Sequence, residues 1–332
     1  MDFRTVVAPI EGMNGLVSHD NPLLLIGSCF TDNIGQCLVA EMFDVCVNPF
    51  GPLYNPLSIR KAFSRLRNQR EITADELTES HGGVHSFLFH SRFSGSTSNE
   101  ALLKMNTSLR EGAAMLRTAT TIIITLGTTR VFTLRHNGEV ASNCHKLPSS
   151  QFDSRHLTLD EVKEALDDTI RIIREVNTTA HVIFTVSPLR YTEQSLHANQ
   201  INKATLLLGI DGVIKSDTSG LLSYFPAYEI MMDDLRDYRF YAEDMKHPTP
   251  QAVRYIYGIF KASYCDKSTL ALADEAASLT RRLSHRPLTS SPEILTKERI
   301  EKERLITDFI ARYPKLHNAC KRYINITTDN GI

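Results

Sequence analysis

The sequence predicts an α/β fold: a mainly parallel sheet sandwiched between helices, followed by a helical C-terminal extension. Two observations carry this reading. Three short, near-continuous apolar runs, Leu23–Ile26, Thr121–Leu126 ("TIIITL") and His181–Val186 ("HVIFTV"), have the texture of strands buried on both faces. Longer stretches with apolar residues at helical spacing follow or separate them, the alternation that produces parallel strands joined by crossover helices. With 332 residues the chain is long enough for one large α/β unit with an appendage, since single cores stop growing at roughly 250–300 residues.

Taken in order, Leu23–Ile26 runs into the corner Gly27-Ser28-Cys29, and a helix is predicted over Thr31–Phe43 with Thr31 or Asp32 available as its cap. Helices follow over Leu57–Asn68 and Asn99–Thr118. The strand Thr121–Leu126 leads to an antiparallel excursion, Thr129–Leu134, "HNGE" and Val140, because Asn137-Gly138 is a strong hairpin turn. A helix over Leu159–Asn177, the strand His181–Val186 and a helix over roughly Asn199–Gly209 complete the alternation. Beyond Cys265 the pattern is helical only. There "LTKERIEKERLITDFIARY" sets Ile300, Leu305 and Phe309 at helical spacing among charges of both signs, as in a packed helix with a solvated face. "PLTSSP", Pro287 to Pro292, reads as a linker. The division expected is an α/β domain over residues 1–265 and a helical extension over 266–332, with no internal repeat.

Acidic and basic residues nearly cancel, giving a formal net charge of −1, so the composition argues against nucleic acid and acidic membrane surfaces as partners. Cys29, Cys37, Cys46, Cys144, Cys265 and Cys320 lack short regular spacing, which points to reduced thiols and a cytoplasmic protein. Ile26-Gly27-Ser28-Cys29 looks superficially like a lipoprotein cleavage box. The acidic Asp2, Glu11 and Asp20 before it, and an apolar run shorter than the roughly 7–15 residues of a signal segment, oppose that reading. No stretch approaches the roughly 18 apolar residues of a membrane span.

In open α/β sheets ligands bind beyond the carboxyl ends of the strands, which directs attention to three corners: Gly27-Ser28-Cys29, Gly127-Thr128-Thr129-Arg130 and Ser187-Pro188-Leu189-Arg190. A cysteine just before a helix feels the positive end of the helix dipole, which favours its thiolate. Cys29 is so placed. Neighbouring side chains on an extended segment point to opposite faces, so only one of Ser28 and Cys29 is expected to face a pocket. Near the other end, "AEDMKHPTPQAV" sets Asp244 three residues before His247, with Pro248 suited to the first turn of the following helix. A carboxylate on one imidazole nitrogen leaves the other free to take a nucleophile's proton.

Together, "IGSCFTDNIG", "ITLGTTRVF", "NCHKLP", "TVSPLRY", "NQINKATLL" and "YFPAYEIMMDDLRDYRFYAEDMKHPTP" resemble the GSCFA family, grouped with the SGNH (GDSL-type) hydrolases, over roughly residues 20 to 260 in the right order. The resemblance implies a three-layer α/β/α sandwich of flavodoxin-like strand order. It puts Cys29 at the nucleophile position, with Ser28 as the fallback, and Asp244 and His247 at the Asp-x-x-His block. It matches Gly127-Thr128-Thr129-Arg130 to the block that helps form the oxyanion hole, where Thr129 stands in place of asparagine. The donors then expected are the Cys29 and Gly127 N–H groups and the Asn143 amide. Thr31 replaces the alanine of the family name, and Tyr191 stands where histidine follows Arg190 in the pattern.

Further candidates lie outside these blocks. His145 offers an alternative base and Lys146 a charge for an anionic substrate, while Arg190 and Lys203 could clamp a carboxylate or phosphate. His81, His85 and His90 invite a metal reading, but glycines and strand alternation keep them from converging, and His90 remains available to the pocket from a loop. The charge-rich turn of Asp233, Asp234, Arg236, Asp237 and Arg239 reads as ion-paired packing. Neither a phosphate loop nor a dinucleotide fingerprint occurs, so no cofactor is expected. The expected activity is hydrolysis of an acyl ester or thioester of a small molecule or carbohydrate. The alternatives are an acyltransferase on a sugar or cell-envelope precursor and a catalytically inactive binding module.

Overall fold

A computed structural model describes residues 5–80, 82–192, 195–285 and 291–329. Its centre is a parallel sheet of β1 (Leu23–Gly27), β2 (Val45–Val47), and three later strands. Between β2 and the third sheet strand, Thr78–Ser80 (β3) and Gly83–His85 (β4) form a small antiparallel pair. The sheet resumes with β5 (Thr121–Leu126). Then comes a three-stranded antiparallel excursion, β6 (Arg130–Leu134), β7 (Val140–Ala141) and β8 (Phe152–His156), where the Asn137-Gly138 turn was expected. The parallel sheet closes with β9 (His181–Val186) and β10 (Leu222–Phe225). Across the sheet the order is β10-β9-β5-β1-β2. Renumbered within the sheet this is 2-1-3-4-5, a doubly wound order whose reversal falls between β1 and β5.

The helices are α1 (Cys29–Ala40), α2 (Pro56–Asn68), α3 (Ser98–Thr118), α4 (Leu159–Val176), α5 (Leu196–Ser216), the short α6 (Ala227–Glu229), α7 (Pro250–Tyr264), α8 (Lys267–Ser284), α9 (Pro292–Arg312) and α10 (His317–Asp329). Strand alternation sorts them onto two faces. Leu24 and Ile26 share a core with Ile59 and Phe63 of α2, Leu109 of α3, Val162 of α4 and Leu206 of α5. Leu23 and Leu25 share the opposite core with Phe30 and Ile34 of α1 and Ile256 and Phe260 of α7.

Two differences from the sequence reading concern α1. The helix starts at Cys29 because Ser28, rather than Thr31 or Asp32, is its cap, and it stops at Ala40, before the left-handed Met42 (φ 60°). β2, β8 and β10 escaped the sequence reading altogether, the first being only three residues long. Of the stretch read as a linker, Pro287 to Ser290 lie outside the described residues, and Pro292 opens α9. His81 also lies outside them. No helix among the described residues is long and apolar enough to cross a membrane.

Candidate active site

At the carboxyl end of β1 the chain has no room for a side chain. A Cβ on Gly27 would overlap the backbone nitrogen and carbonyl oxygen of Thr125 in the neighbouring β5. The next residue, Ser28, is fully buried; its N–H donates to the Thr125 carbonyl (3.2 Å) and its hydroxyl accepts the Phe30 N–H (3.3 Å). Cys29 follows as the first residue of α1 and is partly exposed. Capping, and not strand alternation, separates the pair: Ser28 is spent on the helix cap, while Cys29, already helical, is partly exposed.

The environment of Cys29 corrects one expectation. Burial, and next the Asp32 carboxylate, push its thiol above the ordinary cysteine value, while the Phe30 and Cys29 N–H groups and the Lys203 charge pull the other way. The helix N-terminus alone does not make a thiolate, because Asp32 sits in the same first turn. Desolvation outweighs the dipole here.

Around this corner lies a polar network that the sequence did not reveal. Asn48, buried and left-handed (φ 46°), accepts the Gly27 N–H at 2.8 Å and donates to Asp32 Oδ1 at 2.7 Å. Arg92 donates to the Asn48 carbonyl (2.7 Å) and pairs with Asp32 Oδ2 (3.4 Å). His90 is half-buried beside it; its Nδ1 accepts the Arg92 N–H at 3.2 Å, and burial with the Arg92 charge lowers its pKa. Asn48 and Arg92 are 16 and 60 residues from Asp32, with no motif between them to announce the contact.

At the second corner one expected oxyanion donor, the Gly127 N–H, is already occupied. The Gly127 and Thr128 N–H groups both donate to the Tyr54 carbonyl, at 2.8 and 2.9 Å. The Thr129 N–H donates to Asn202 Oδ1 (2.6 Å), and the Thr129 hydroxyl meets His156 Nδ1 (2.9 Å). Lys203, the next residue on α5, is fully buried. Its ammonium donates to the carbonyls of Gly127 and Ser187, each at 2.8 Å, beneath the rings of Tyr191 and Tyr228. It therefore bridges the ends of β5 and β9 and is not an open clamp for a substrate anion; burial brings its pKa down to about 7.

Asn143 and His145 belong to a structural loop. Asn143 Oδ1 accepts the His145 N–H (2.8 Å), while the His145 ring meets Ser86 O through Nε2 (3.0 Å) and Ser91 Oγ through Nδ1 (3.2 Å). Its ring also lies 4.0 Å from that of His85, centroid to centroid, and burial lowers its pKa to about 4. With both nitrogens engaged, His145 is not free to act as the base.

The third corner brings Asp244 and His247 to the sheet. The Arg190 N–H, beyond the end of β9, donates to the Lys246 carbonyl at 3.2 Å, and the Arg190 guanidinium lies over Tyr241 and Tyr238. Asp244 Oδ1 accepts the N–H groups of Lys246 (2.9 Å) and His247 (3.0 Å), and Oδ2 accepts the His247 Nδ1 proton at 2.5 Å. Those bonds, from the His247 backbone first and its ring second, hold the Asp244 carboxyl well below the usual carboxylate range. With Nδ1 so engaged, Nε2 is the ring nitrogen left for a proton. The loop ends at Thr249, the cap of α7, and α7 packs on α1, the helix that begins with Cys29. Among the described residues no hydrogen bond joins His247 to Cys29.

A model of the GSCFA family matches residues 22–260. The chain belongs to the GSCFA family. No curated protein matches it. The GSCFA segment contains every strand of the parallel sheet and all the site residues described above, and it ends within α7. A cavity of about 920 Å³ lies elsewhere, between α2, the β6–β7 hairpin and α4. Its lining is rich in cations, several of them paired: Arg60 with Asp168, Lys61 with Glu139 and Arg65 with Glu76. No group of three or more metal-ligating side chains gathers among the described residues.

Proposed function

We propose that this GSCFA protein cleaves an acyl ester or thioester through a covalent thioester on Cys29. What supports the reading is the preformed Asp244–His247 pair, with Nδ1 occupied and Nε2 left for a proton, on a loop whose Lys246 carbonyl accepts the Arg190 N–H beyond β9, while Cys29 follows the carboxyl end of β1 in the same parallel sheet. In the first step Cys29 Sγ attacks the acyl carbonyl while His247 Nε2 takes the thiol proton. Collapse of the adduct breaks the bond to the leaving group, which receives that proton from His247. Water, activated by the same imidazole, then releases the acid and restores the thiol. The Cys29 N–H, at the start of α1, is the donor we assign to the oxyanion, since those of Gly127 and Thr129 are committed. Empty sites commonly hold such partners apart until substrate draws them together. We place the chain with the SGNH-type three-layer hydrolases, Cys29 standing where that group carries serine, and take its substrate to be a small or carbohydrate-linked acyl compound.

The occupied donors and the raised Cys29 pKa favour a second reading, a binding module that keeps the site without turnover. Intact-protein mass spectrometry after exposure to p-nitrophenyl acetate separates the two. The hydrolase reading requires one acetyl adduct on the parent, absent in Cys29→Ala, retained in Ser28→Ala and slower to form in His247→Ala. A parent that never acquires the adduct leaves the binding module. Faster discharge by an added sugar alcohol than by water would make the protein an acyltransferase.

A further inference from the structure

Around α2 the ion pairs are unevenly matched. The cavity of about 920 Å³ between α2, the β6–β7 hairpin and α4 is lined by six cations, Arg60, Lys61, Arg65, Arg67, Arg70 and Arg171. Its lining carboxylates are four, Asp75, Glu76, Glu139 and Asp168, and some of them are shared. Asp168 takes both Arg60 (3.0 Å) and Arg171 (2.6 Å), and Glu76 takes Arg65 (2.6 Å) and Arg70 (3.8 Å). Glu175, on α4 beyond the lining, takes Arg67 (2.5 Å) and Arg171 (3.1 Å); with it counted, cations are still in surplus. The pattern is built into α2, where Arg60, Ser64 and Arg67 recur at helical spacing and turn a row of donors to α4. Each guanidinium carries five N–H donors, and among the described residues only one such bond is made by Arg60 and two each by Arg67 and Arg171. Arg60, Arg67 and Asp168 are 37, 30 and 30% exposed, so the row is partly withdrawn from water and weakly screened. Beside it, Leu57, Phe87 and Val140 line the same cavity and are only partly covered.

We propose that this cavity binds an organic phosphate, whose phosphate bridges Arg60, Arg67 and Arg171 while an apolar body lies on Leu57, Phe87 and Val140. A phosphate dianion answers the surplus that the local carboxylates leave, and its terminal oxygens accept guanidinium N–H groups from α2 and α4 at once. A carboxylate ligand brings one charge and two oxygens, no more than Asp168 already supplies. The cavity's volume lies within the roughly 300–1,000 Å³ of small-molecule sites, with room for a body beyond the phosphate. The site is independent of the acyl chemistry. Its lining comes from α2, α4, residues 75–78 and 86–88 and the β6–β7 hairpin, and none of these residues has a part in the thiol mechanism.

The probe is 1-naphthyl phosphate, titrated by calorimetry at fixed ionic strength, with inorganic phosphate and 1-naphthol as its charge and its body alone. Saturable binding at one site is expected for the naphthyl phosphate, and weaker binding for either half. Arg60→Gln/Arg171→Gln is expected to weaken it about tenfold, the effect of losing one charge-assisted hydrogen bond. Asp168→Asn releases both guanidiniums from their shared carboxylate and is expected to tighten it about threefold, the scale of a partly exposed ion pair. Arg281→Gln/Arg304→Gln removes the same charge from α8 and α9, outside the lining, and should leave the affinity unchanged. A parent without saturable binding, equal weakening by the two double variants, or weaker binding in Asp168→Asn would overturn the proposal. Inorganic phosphate binding as tightly as the naphthyl ester would make free phosphate the ligand and overturn the organic class. Finally, Cys29 is carbamidomethylated with iodoacetamide, followed by peptide mass spectrometry. The parent so blocked should keep its affinity; loss of binding would put the phosphate at the Cys29 corner instead. Failure of the parent to form an acyl adduct bears on the thiol mechanism alone and leaves this site standing.

Discussion

Ser28 and Cys29 share a corner and a reactive side-chain class, yet their surroundings divide the work. Because the Ser28 hydroxyl is buried on the Phe30 N–H, Ser28→Ala is expected to cost about 1 kcal/mol of stability in urea unfolding, the ordinary value of an N-cap. Labelling of Cys29 should persist in that variant; its loss would mean that Ser28 does more than cap. His145 supplies a second prediction, in pH. Its imidazole titrates near the ordinary 6.5 in the unfolded chain and near about 4 in the folded one. Between those values the unfolded state binds a proton that the folded state refuses, so stability present above pH 6.5 is lost as pH falls toward 4. The window is worth on the order of 3 kcal/mol. His145→Asn, which tolerates the left-handed backbone (φ 49°), should flatten the dependence between pH 7 and 4.5; an unchanged slope would assign it to other groups. What was legible at this scale were residues with local punctuation: Cys29 two residues after a glycine, Asp244 three residues before His247. Asn48, Arg92 and Tyr54 were not, because their roles depend on backbone atoms that only the closed sheet brings near.

Elements were legible where their periodicity was long or their apolar run continuous. β1, β5 and β9 announced themselves because burial on both faces leaves no polar alternation. The three-residue β2 and the four-residue β10 sit at the sheet's edges, where short runs carry too little pattern to separate from loop. Between elements, one contact that sequence does not display is the approach of β1 to β5 at Gly27. A methyl there would press on the Thr125 backbone, which has hydrogen-bonded strands on both sides and cannot yield as a flexible side chain could. Gly27→Ala is accordingly expected to cost about 3 kcal/mol, the upper end for overpacking, as a lower urea midpoint with an unchanged slope. A midpoint within about 0.5 kcal/mol of the parent's, the range of a neutral surface change, would show that the corner can relax. Since the shifted backbone carries Ser28 and Cys29, Cys29 labelling should change in the same variant.

On the scale of the molecule, composition separated the chain at Cys265, where alternation gives way to helices, and the GSCFA match ends just before it. Packing argues that this boundary is one of pattern more than of stability. α8 to α10 enclose Met42, the left-handed residue just past α1, in a buried cluster with Ala276, Leu279, Phe309, Leu316 and Cys320. The Thr280 hydroxyl donates to the Ala40 carbonyl (2.9 Å), and Lys261 and Tyr257 of α7 reach the two oxygens of Glu41, at 2.7 and 2.6 Å. Both ends of α1 are thereby fixed: the start by Ser28 and β1, the end by the C-terminal helices. An extension that merely decorated the α/β unit would unfold by itself. Phe309 decides the matter, being 2% exposed at the centre of the cluster and far along the chain from the sheet. Phe309→Ala removes a buried ring at a cost of about 3–5 kcal/mol. If the helices and the sheet unfold together, that loss lowers the single denaturation midpoint, and probes in the sheet and in α9 move in step. If they are separate, the α9 signal is lost early while the sheet keeps the parent's midpoint, and Cys29 then remains as protected from iodoacetamide at intermediate urea as in the parent. We expect the first outcome, because Met42, just past the end of α1, sits in the cluster that Phe309 fills.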